Sequence, residues 1–466
     1  MDKFSEYHLG NAPMLVTDSV PGGKSREIIA LQRSMEGSIV SYPVSMPIAF
    51  ERAKGSIIED VDGNRFIDLF AGCGVLNLGH TNPYILEFVK RQEDKLIHAL
   101  DFPTENKIEL IRNILAEFPE PVRVGLKVAF CASTGSDAVE AAIKLSKHFT
   151  GRESIIAFQG SYHGMTSGAL AATSNVNLRN KLRSLVPNIH FIPYSYCYRC
   201  AFNKTREQCD LDCANYLDQI LSNPHSGIPK PAAILIEPVQ GEGGNIVPAE
   251  GFLEKVIEIA RRHDVLVIFD EIQSGFFRTG KFLSFQHTKA FPDIITLSKG
   301  LGGVGLPISA LVYKKDIESW GPGDHIGTFR SNQASIAGGN GAFSFVKKFG
   351  VRQHVTEISE YLMARLNELA LQSDFVGDVR GRGLLIGVEF VKDKSSKEPY
   401  PELLKRLRQK CLAKGVLFET GGYYGNVLRL VPALIINREI VDNALSVLEQ
   451  CLGEVTEEEL TEKHLM

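Results

Sequence analysis

No run of apolar residues in this sequence approaches the ~20 that a helix needs to cross a bilayer, so a membrane protein is not expected. The opening stretch, MDKFSEYHLGNAPM, lacks a basic segment followed by an apolar one. No secretory signal is therefore predicted, and the expectation is a soluble, cytoplasmic chain. Neither sign of charge is in large excess: 51 Lys+Arg stand against 55 Asp+Glu, a formal net charge of −4. That balance predicts no broad basic surface for nucleic acid or anionic lipid. Internal repeats and long low-complexity linkers are absent as well. What is present is 44 % apolar and 23 % charged residues over 466 positions. That is the composition of an ordinary globular enzyme, and it is too long for one core, so a large and a small domain are expected.

From about Val124 the chain alternates. Seven short apolar runs, VGLKVAFCAS, SIIAFQGS, NIHFIPY, AAILIEPV, VLVIFDE, DIITLSK and ISALVYK, are separated by stretches such as DAVEAAIKLSKHF and GFLEKVIEIARRH, whose apolar residues recur at helical spacing. Runs with no polar alternation predict strands buried on both faces. The fold class is thus α/β with a mainly parallel seven-stranded sheet, whose ligands collect at the carboxyl ends of the strands. The expected organisation is an N-terminal arm over residues 1–60 contributing to a small domain, a large domain over 61–340, and the small α+β domain over 341–466. The arm ends in GSIIEDVDGNRFIDL, where Asp62-Gly63 signals a hairpin. A helical stretch is predicted over about Gly338 to Ser373. The acidic end, EVTEEELTEK, reads as a solvated tail.

Two of the runs end unusually. VLVIFDE carries an unbroken apolar strand straight into Asp270 and Glu271, and DIITLSK ends in Lys299 beside GLGG. An ion pair at the sheet edge would place a lysine and a carboxylate this way. So would a Schiff-base lysine holding pyridoxal phosphate, which needs an amine for its aldehyde and an anion facing its ring nitrogen. A third run leads into ASTGSDAVEAAIKLS, where small residues open a helix whose N-terminal N–H groups favour a phosphate dianion. A plain N-cap by Ser133 or Thr134, with Asp137 in the first turn, explains the same residues. Together with Asp270 and Lys299 the cofactor reading is preferred. GLGGVG matches G-x-G-x-x-G literally, but a strand-like LPISALVYKK follows instead of a helix, so a dinucleotide site is rejected.

VLVIFDEIQSGFFRTGKF, DIITLSKGLGG, LIEPVQGEGG, SYHGMTSGALAAT and GTFRSNQ together resemble the class III aminotransferases, of the aspartate aminotransferase-like pyridoxal-phosphate fold type I. The likeness runs from about Ala53 to about Pro432. It implies Lys299 as the covalent attachment point of the cofactor and as proton shuttle, and Asp270 as partner of the pyridinium nitrogen. It also implies Gln273 on the phenolic oxygen, Gly135 and Ser136 on the phosphate, and Tyr162 stacked on the ring. Thr328 would reach the phosphate of a neighbouring subunit, which implies a homodimer with sites at the interface. Glu237 is expected to support the site. Arg429 matches an arginine that grips an α-carboxylate, and Glu242 a glutamate that neutralises it when the donor's amino end enters. The family's 4-aminobutyrate and ornithine branches carry an arginine after the HG pair, where this chain has Met165. HGMTSGALAAT, GTFRSN and HSGIPKPAAILIEPVQGEGG are more similar to 2,4-diaminobutyrate:2-oxoglutarate transaminases. The implied partners are a small amine donor and a 2-oxo acid. A racemase or epimerase on the same fold, another omega-aminotransferase, or a cofactor-free interaction protein would share much of this sequence.

Cys197, Cys200, Cys209 and Cys213 form C-x2-C-x8-C-x3-C. Four thiolates so close could hold a structural Zn²⁺ or an iron–sulfur cluster; a reduced, metal-free loop fits the same spacing.

Overall fold

All seven apolar runs become strands of one sheet in the computed structural model, which describes residues 3–182 and 184–465. Ahead of them β1 (Phe50–Lys54), β2 (Ile57–Asp60) and β3 (Arg65–Asp68) form an antiparallel meander, and Gly63 at φ 92° turns β2 into β3 where Asp62-Gly63 predicts it. The large sheet comprises β4 (Leu126–Phe130), β5 (Ile155–Phe158), β6 (Ile189–Ile192), β7 (Ala233–Ile236), β8 (Leu266–Asp270), β9 (Ile294–Leu297) and β10 (Ala310–Lys314). Its order is β4-β10-β9-β8-β7-β5-β6. Neighbours run parallel except around β10, which is antiparallel to both β4 and β9. Every residue of β5, β7 and β9 is buried. With helices on both faces, no side of such a strand meets water, so the sequence shows no alternation. The helix Phe252–Arg262 buries Val256, Ile259 and Ala260 on one stripe, the periodicity that marks it in the sequence. GLGGVG opens no helix: Lys299–Gly302 is a single tight turn, and β10 follows.

The C-terminal third is a second antiparallel sheet, β11 (Val376–Arg382), β12 (Leu385–Phe390), β14 (Glu419–Gly421) and β15 (Val427–Leu430), in the order β11-β12-β15-β14. The short β13 (Val416–Leu417) instead pairs in parallel with β3, joining this third of the chain to the N-terminal meander. The helical stretch before it is two helices, Gln333–Lys348 and Val351–Gln372, broken at Gly350 with φ 59°. The acidic end is not a free tail. It continues the last helix, Arg438–Leu465, because Val455 is wholly buried and the buried Glu459 meets Tyr400 and Arg406. Side chains from residue 460 onward lie outside the described residues. No described helix is long and apolar enough to span a membrane.

Candidate active site

Strand ends build a cleft of about 290 Å³ at the carboxyl edge of the large sheet. β8 stops at Asp270, β9 delivers Lys299 just beyond its last residue, and β4 leads into the helix that begins at Gly135. Gly135, Ser136, Tyr162, Glu242, Asp270, Gln273 and Lys299, all singled out from sequence, line this one space. A site assembled from elements this far apart in the chain is what a parallel sheet does with its loops.

The Asp270 carboxylate is 4 % exposed. Its Oδ1 accepts from Ile272 N at 3.0 Å and Thr296 Oγ1 at 3.1 Å, and its Oδ2 lies 2.7 Å from His163 Nδ1. Among the described residues no lysine or arginine lies within 4.0 Å of it. A buried anion without a full cationic partner is costly unless a ligand supplies one. Glu271, next in sequence, is different. Ser274, Ser284 and the Phe285 N–H all donate to it, which makes it part of the packing rather than the chemistry.

Lys299 takes a left-handed backbone, φ 46°, uncommon for a residue with a Cβ and typical of strained functional positions. Its Nζ donates to the Cys73 carbonyl at 3.1 Å. Burial holds the amine below its ordinary pKa, with Arg429 adding to the effect and Cys73, Glu242 and Asp270 opposing it. A buried lysine that gives up its proton readily is the form that attacks an aldehyde.

At the helix N-terminus Thr134 accepts from Asp137 N at 3.4 Å, so the N-cap predicted there is present. It does not compete with an anion site, since Gly135 and Ser136 also face the cleft. A Cβ on Gly135 would come within 2.9 Å of the Ile272 side chain, and one on Gly164 within 2.1 Å of Ser136 Oγ. The close approach of these backbones requires glycine. The donor set (a buried amine, a buried carboxylate, a glycine-opened helix start and the aromatic Tyr162) fits pyridoxal phosphate in size and charge.

Arg429 does not line the cleft itself; it lies behind two residues that do, Glu242 and Gln273, and is 1 % exposed rather than a surface residue. It contacts Glu242 through Nη1, donates to Gln273 Oε1 at 2.7 Å through Nη2, and to Asn245 Oδ1 at 3.3 Å through Nε. Gln273 in turn donates to the Cys73 carbonyl at 3.0 Å. Glu237 receives Tyr162 N and Gly241 N at 3.1 and 2.9 Å. Burial pushes its pKa up to about 7; His163 opposes the rise and Asp270 adds to it.

Thr328 does not reach this cleft; it stands exposed beside Ile326 and Phe329, two apolar side chains 71 % and 67 % exposed. The metal expectation for Cys197, Cys200, Cys209 and Cys213 is not supported. The four line one small cavity, but among the described residues the only trio of potential ligand atoms within 4.8 Å is Cys131, Asp137 and His325. All eight cysteines are free. Burial raises the Cys197 thiol and lifts Cys213 to about 11, with a hydrogen bond from Ser195 opposing the rise at each.

Sequence reasoning missed three residues of the cleft. His163 sits inside the quoted SYHG, but nothing in one sequence says that it backs Asp270. Tyr42 and Cys73 meet across the cleft mouth, OH to Sγ at 2.9 Å. The glycines flanking Cys73 were the available signal, since both Gly72 and Cys73 adopt φ 58°.

A strand-tip carboxylate, a buried lysine and a glycine-opened helix start, set on this sheet order, define an enzyme of the pyridoxal-phosphate transaminase type. The family described as Aminotransferase class-III matches residues 40–452, and the chain belongs to it. The chain is 39 % identical, over 87 % of its length and 90 % of the relative's, to a diaminobutyrate–2-oxoglutarate aminotransferase of Haemophilus influenzae. It is 38 % identical, over 88 % and 89 %, to one of Rhizobium meliloti. Among solved structures, a taurine:2-oxoglutarate aminotransferase from Bifidobacterium kashiwanohense, in complex with PLP and glutamate, superposes with a TM-score of 0.83 at 27 % identity, over 93 % of this chain and 98 % of that one.

Proposed function

We propose that this aminotransferase moves the terminal amine of 2,4-diaminobutyrate to 2-oxoglutarate, giving glutamate and a semialdehyde. The observation that carries the reading is the buried Asp270, which has no lysine or arginine partner among the described residues, in one cleft with the buried Lys299. The relatives named for diaminobutyrate and 2-oxoglutarate support the choice of substrates.

Pyridoxal phosphate, when bound, supplies an aldehyde that holds the amine covalently and an electron-poor ring that accepts the electron pair left when a proton leaves carbon. Lys299 would be the covalent attachment point, and burial, by lowering its pKa, leaves its amine more readily free of a proton and so able to take one from carbon and return it. Asp270 would supply the anion that keeps the ring nitrogen protonated; His163, Ile272 N–H and Thr296 fix the carboxylate in place. Such preorganised charge stabilises the reacting state without reorganising at the moment of reaction. Gly135 and Ser136 would hold the phosphate, Tyr162 would pack on the ring, and Gln273 would serve the phenolic oxygen; all four line the cleft. Arg429 binds the α-carboxylate of glutamate and 2-oxoglutarate, where a planar fork suits a planar anion. Glu242 neutralises Arg429 while the donor is bound, which is the arrangement the structure holds.

The working form is a cytoplasmic homodimer, in which Thr328 contributes to the partner's phosphate site. Exposure of Ile326 and Phe329 around it supports that surface as the interface. The domain division lies near residues 60 and 340. A panel of amine donors with 2-oxoglutarate, read as glutamate formed, tests the reading. 2,4-Diaminobutyrate is expected to give the highest kcat/KM; no turnover with it, or turnover without any oxo acid as in a racemase, overturns it.

A further inference from the structure

A diamine poses a recognition problem that the residues above do not solve. While one amine of the donor reacts, the other stays charged and must be received somewhere. Arg429 cannot receive it, and Glu242 is committed to Arg429.

The sheet of the C-terminal third supplies another carboxylate. Glu419 on β14 is the direct cross-strand partner of Arg429 on β15. Opposed residues of an antiparallel pair project from the same face, with Cβ atoms about 5 Å apart. Gly421, two residues on, leaves room for the arginine stem: a Cβ there would lie 2.6 Å from Arg429 Cδ. Yet Glu419 does not pair with Arg429, whose three guanidinium nitrogens are taken by Glu242, Gln273 and Asn245. Its Oε1 accepts from the neighbouring Thr420 N–H at 2.9 Å. The one cation within 4.0 Å among the described residues is Arg408, at 3.9 Å, and Arg408 Nη1 also donates to Thr420 Oγ1 at 3.1 Å. The side chain is only 14 % exposed. Burial raises its pKa, with Glu242 adding to the rise and Thr420, Arg429 and Arg408 opposing it. Tyr42 and Cys73, which line the cleft, both feel its charge. Glu419 does not line the cleft itself; it lies behind those two residues. A mostly buried carboxylate there, without a close ion pair among the described residues and beside an arginine already neutralised, is an anionic surplus next to the substrate space. A second ammonium would satisfy it, and a monoamine would not.

We infer that Glu419 is the specificity-determining residue that receives the non-reacting ammonium of a diamino acid donor. The inference rests on the transaminase reading above and names the group within that site that separates diamino from monoamino donors. It does not involve the glutamate half of the cycle, in which no second ammonium is present.

The test is Glu419→Gln, with Glu419→Asp as the conservative control, in the full-length protein loaded with pyridoxal phosphate. Kinetics with 2,4-diaminobutyrate and with 4-aminobutyrate, which differ by that ammonium alone, are compared. The glutamate half-reaction is followed by the absorbance of the cofactor. Glu419→Gln is expected to lose about tenfold or more in kcat/KM for diaminobutyrate, to leave 4-aminobutyrate and the glutamate half-reaction within about twofold, and to be partly rescued by aspartate. Equal losses on both donors and on glutamate, or no loss on diaminobutyrate, overturn the inference. Should the unmutated enzyme ignore diaminobutyrate, the proposed substrate falls. Glu419 is then judged on ornithine against 5-aminovalerate, and the absence of the same asymmetry there overturns it.

Discussion

The cleft at the sheet edge and the cysteine-bearing segment over residues 197–213 are both dense in reactive side chains, yet they are built differently. In the cleft each group is delivered by a buried strand or helix end and then fixed by a neighbour: Asp270 by His163 and Thr296, Arg429 by Glu242, Gln273 and Asn245. In the segment four thiols sit on short turns and the start of one helix and face a common small cavity, and two of them, Cys197 and Cys213, hydrogen-bond to Ser195. The number of chemically able residues does not make a site. Convergence enforced by rigid elements does, because a few tenths of an ångström decide whether a charge is used or merely buried.

That contrast can be broken most decisively at the strand ends. Lys299→Ala is expected to lose transamination by roughly 10³-fold or more, since covalent attachment and proton transfer go together; steady-state glutamate formation measures it. Asp270→Asn keeps the shape but removes the charge, and should cost about 10²- to 10³-fold in kcat with the fold, followed by circular dichroism, unchanged. Arg429→Lys preserves the charge but not the fork, and is expected to raise KM for glutamate roughly tenfold while altering the diamine half-reaction less. If the segment is as passive as its geometry says, Cys197→Ser and Cys200→Ser change activity by less than about twofold and stability by about 0.5 kcal/mol or less. Elemental analysis of the purified protein should then find no stoichiometric zinc or iron. A metal-dependent loss of stability in those variants would erase the distinction between the two regions.

The smallest effect concerns pH. Burial raises Glu237 from 4.5 to about 7, so the folded protein holds a proton there that the unfolded chain has already released. Stability drawn from this group is present at acid pH and falls as pH climbs from about 4.5 to about 7. Chemical denaturation of the cofactor-free protein across that window should show a decline that Glu237→Gln flattens.

Much of this was legible without coordinates, and the physics says which part. The seven strands are readable because burial on both faces forces uninterrupted apolar runs, and Asp270 and Lys299 stand out as charges where such runs end. Glu271 shows the limit. It has the same placement and chemistry as its neighbour in sequence, but Ser274, Ser284 and Phe285 absorb it into the core. Only partners distant in sequence tell the two apart. His163, Tyr42 and Cys73 were invisible for the same reason: each meets its partner tens to hundreds of positions away. The cysteine spacing left two readings open, and the structure brings the four sulfurs to one small cavity without bringing three of them within 4.8 Å of one another. The acidic end misled through composition, its charges masking the apolar face that Val455 presents to the core.

The central claim is that the amine at position 299, and no other, holds the cofactor's aldehyde. Borohydride reduction of the full-length protein loaded with pyridoxal phosphate, followed by digestion and mass spectrometry, tests it most directly. The account predicts a single stoichiometric phosphopyridoxyl group on the peptide containing Lys299. A label on a different lysine, or none, contradicts it.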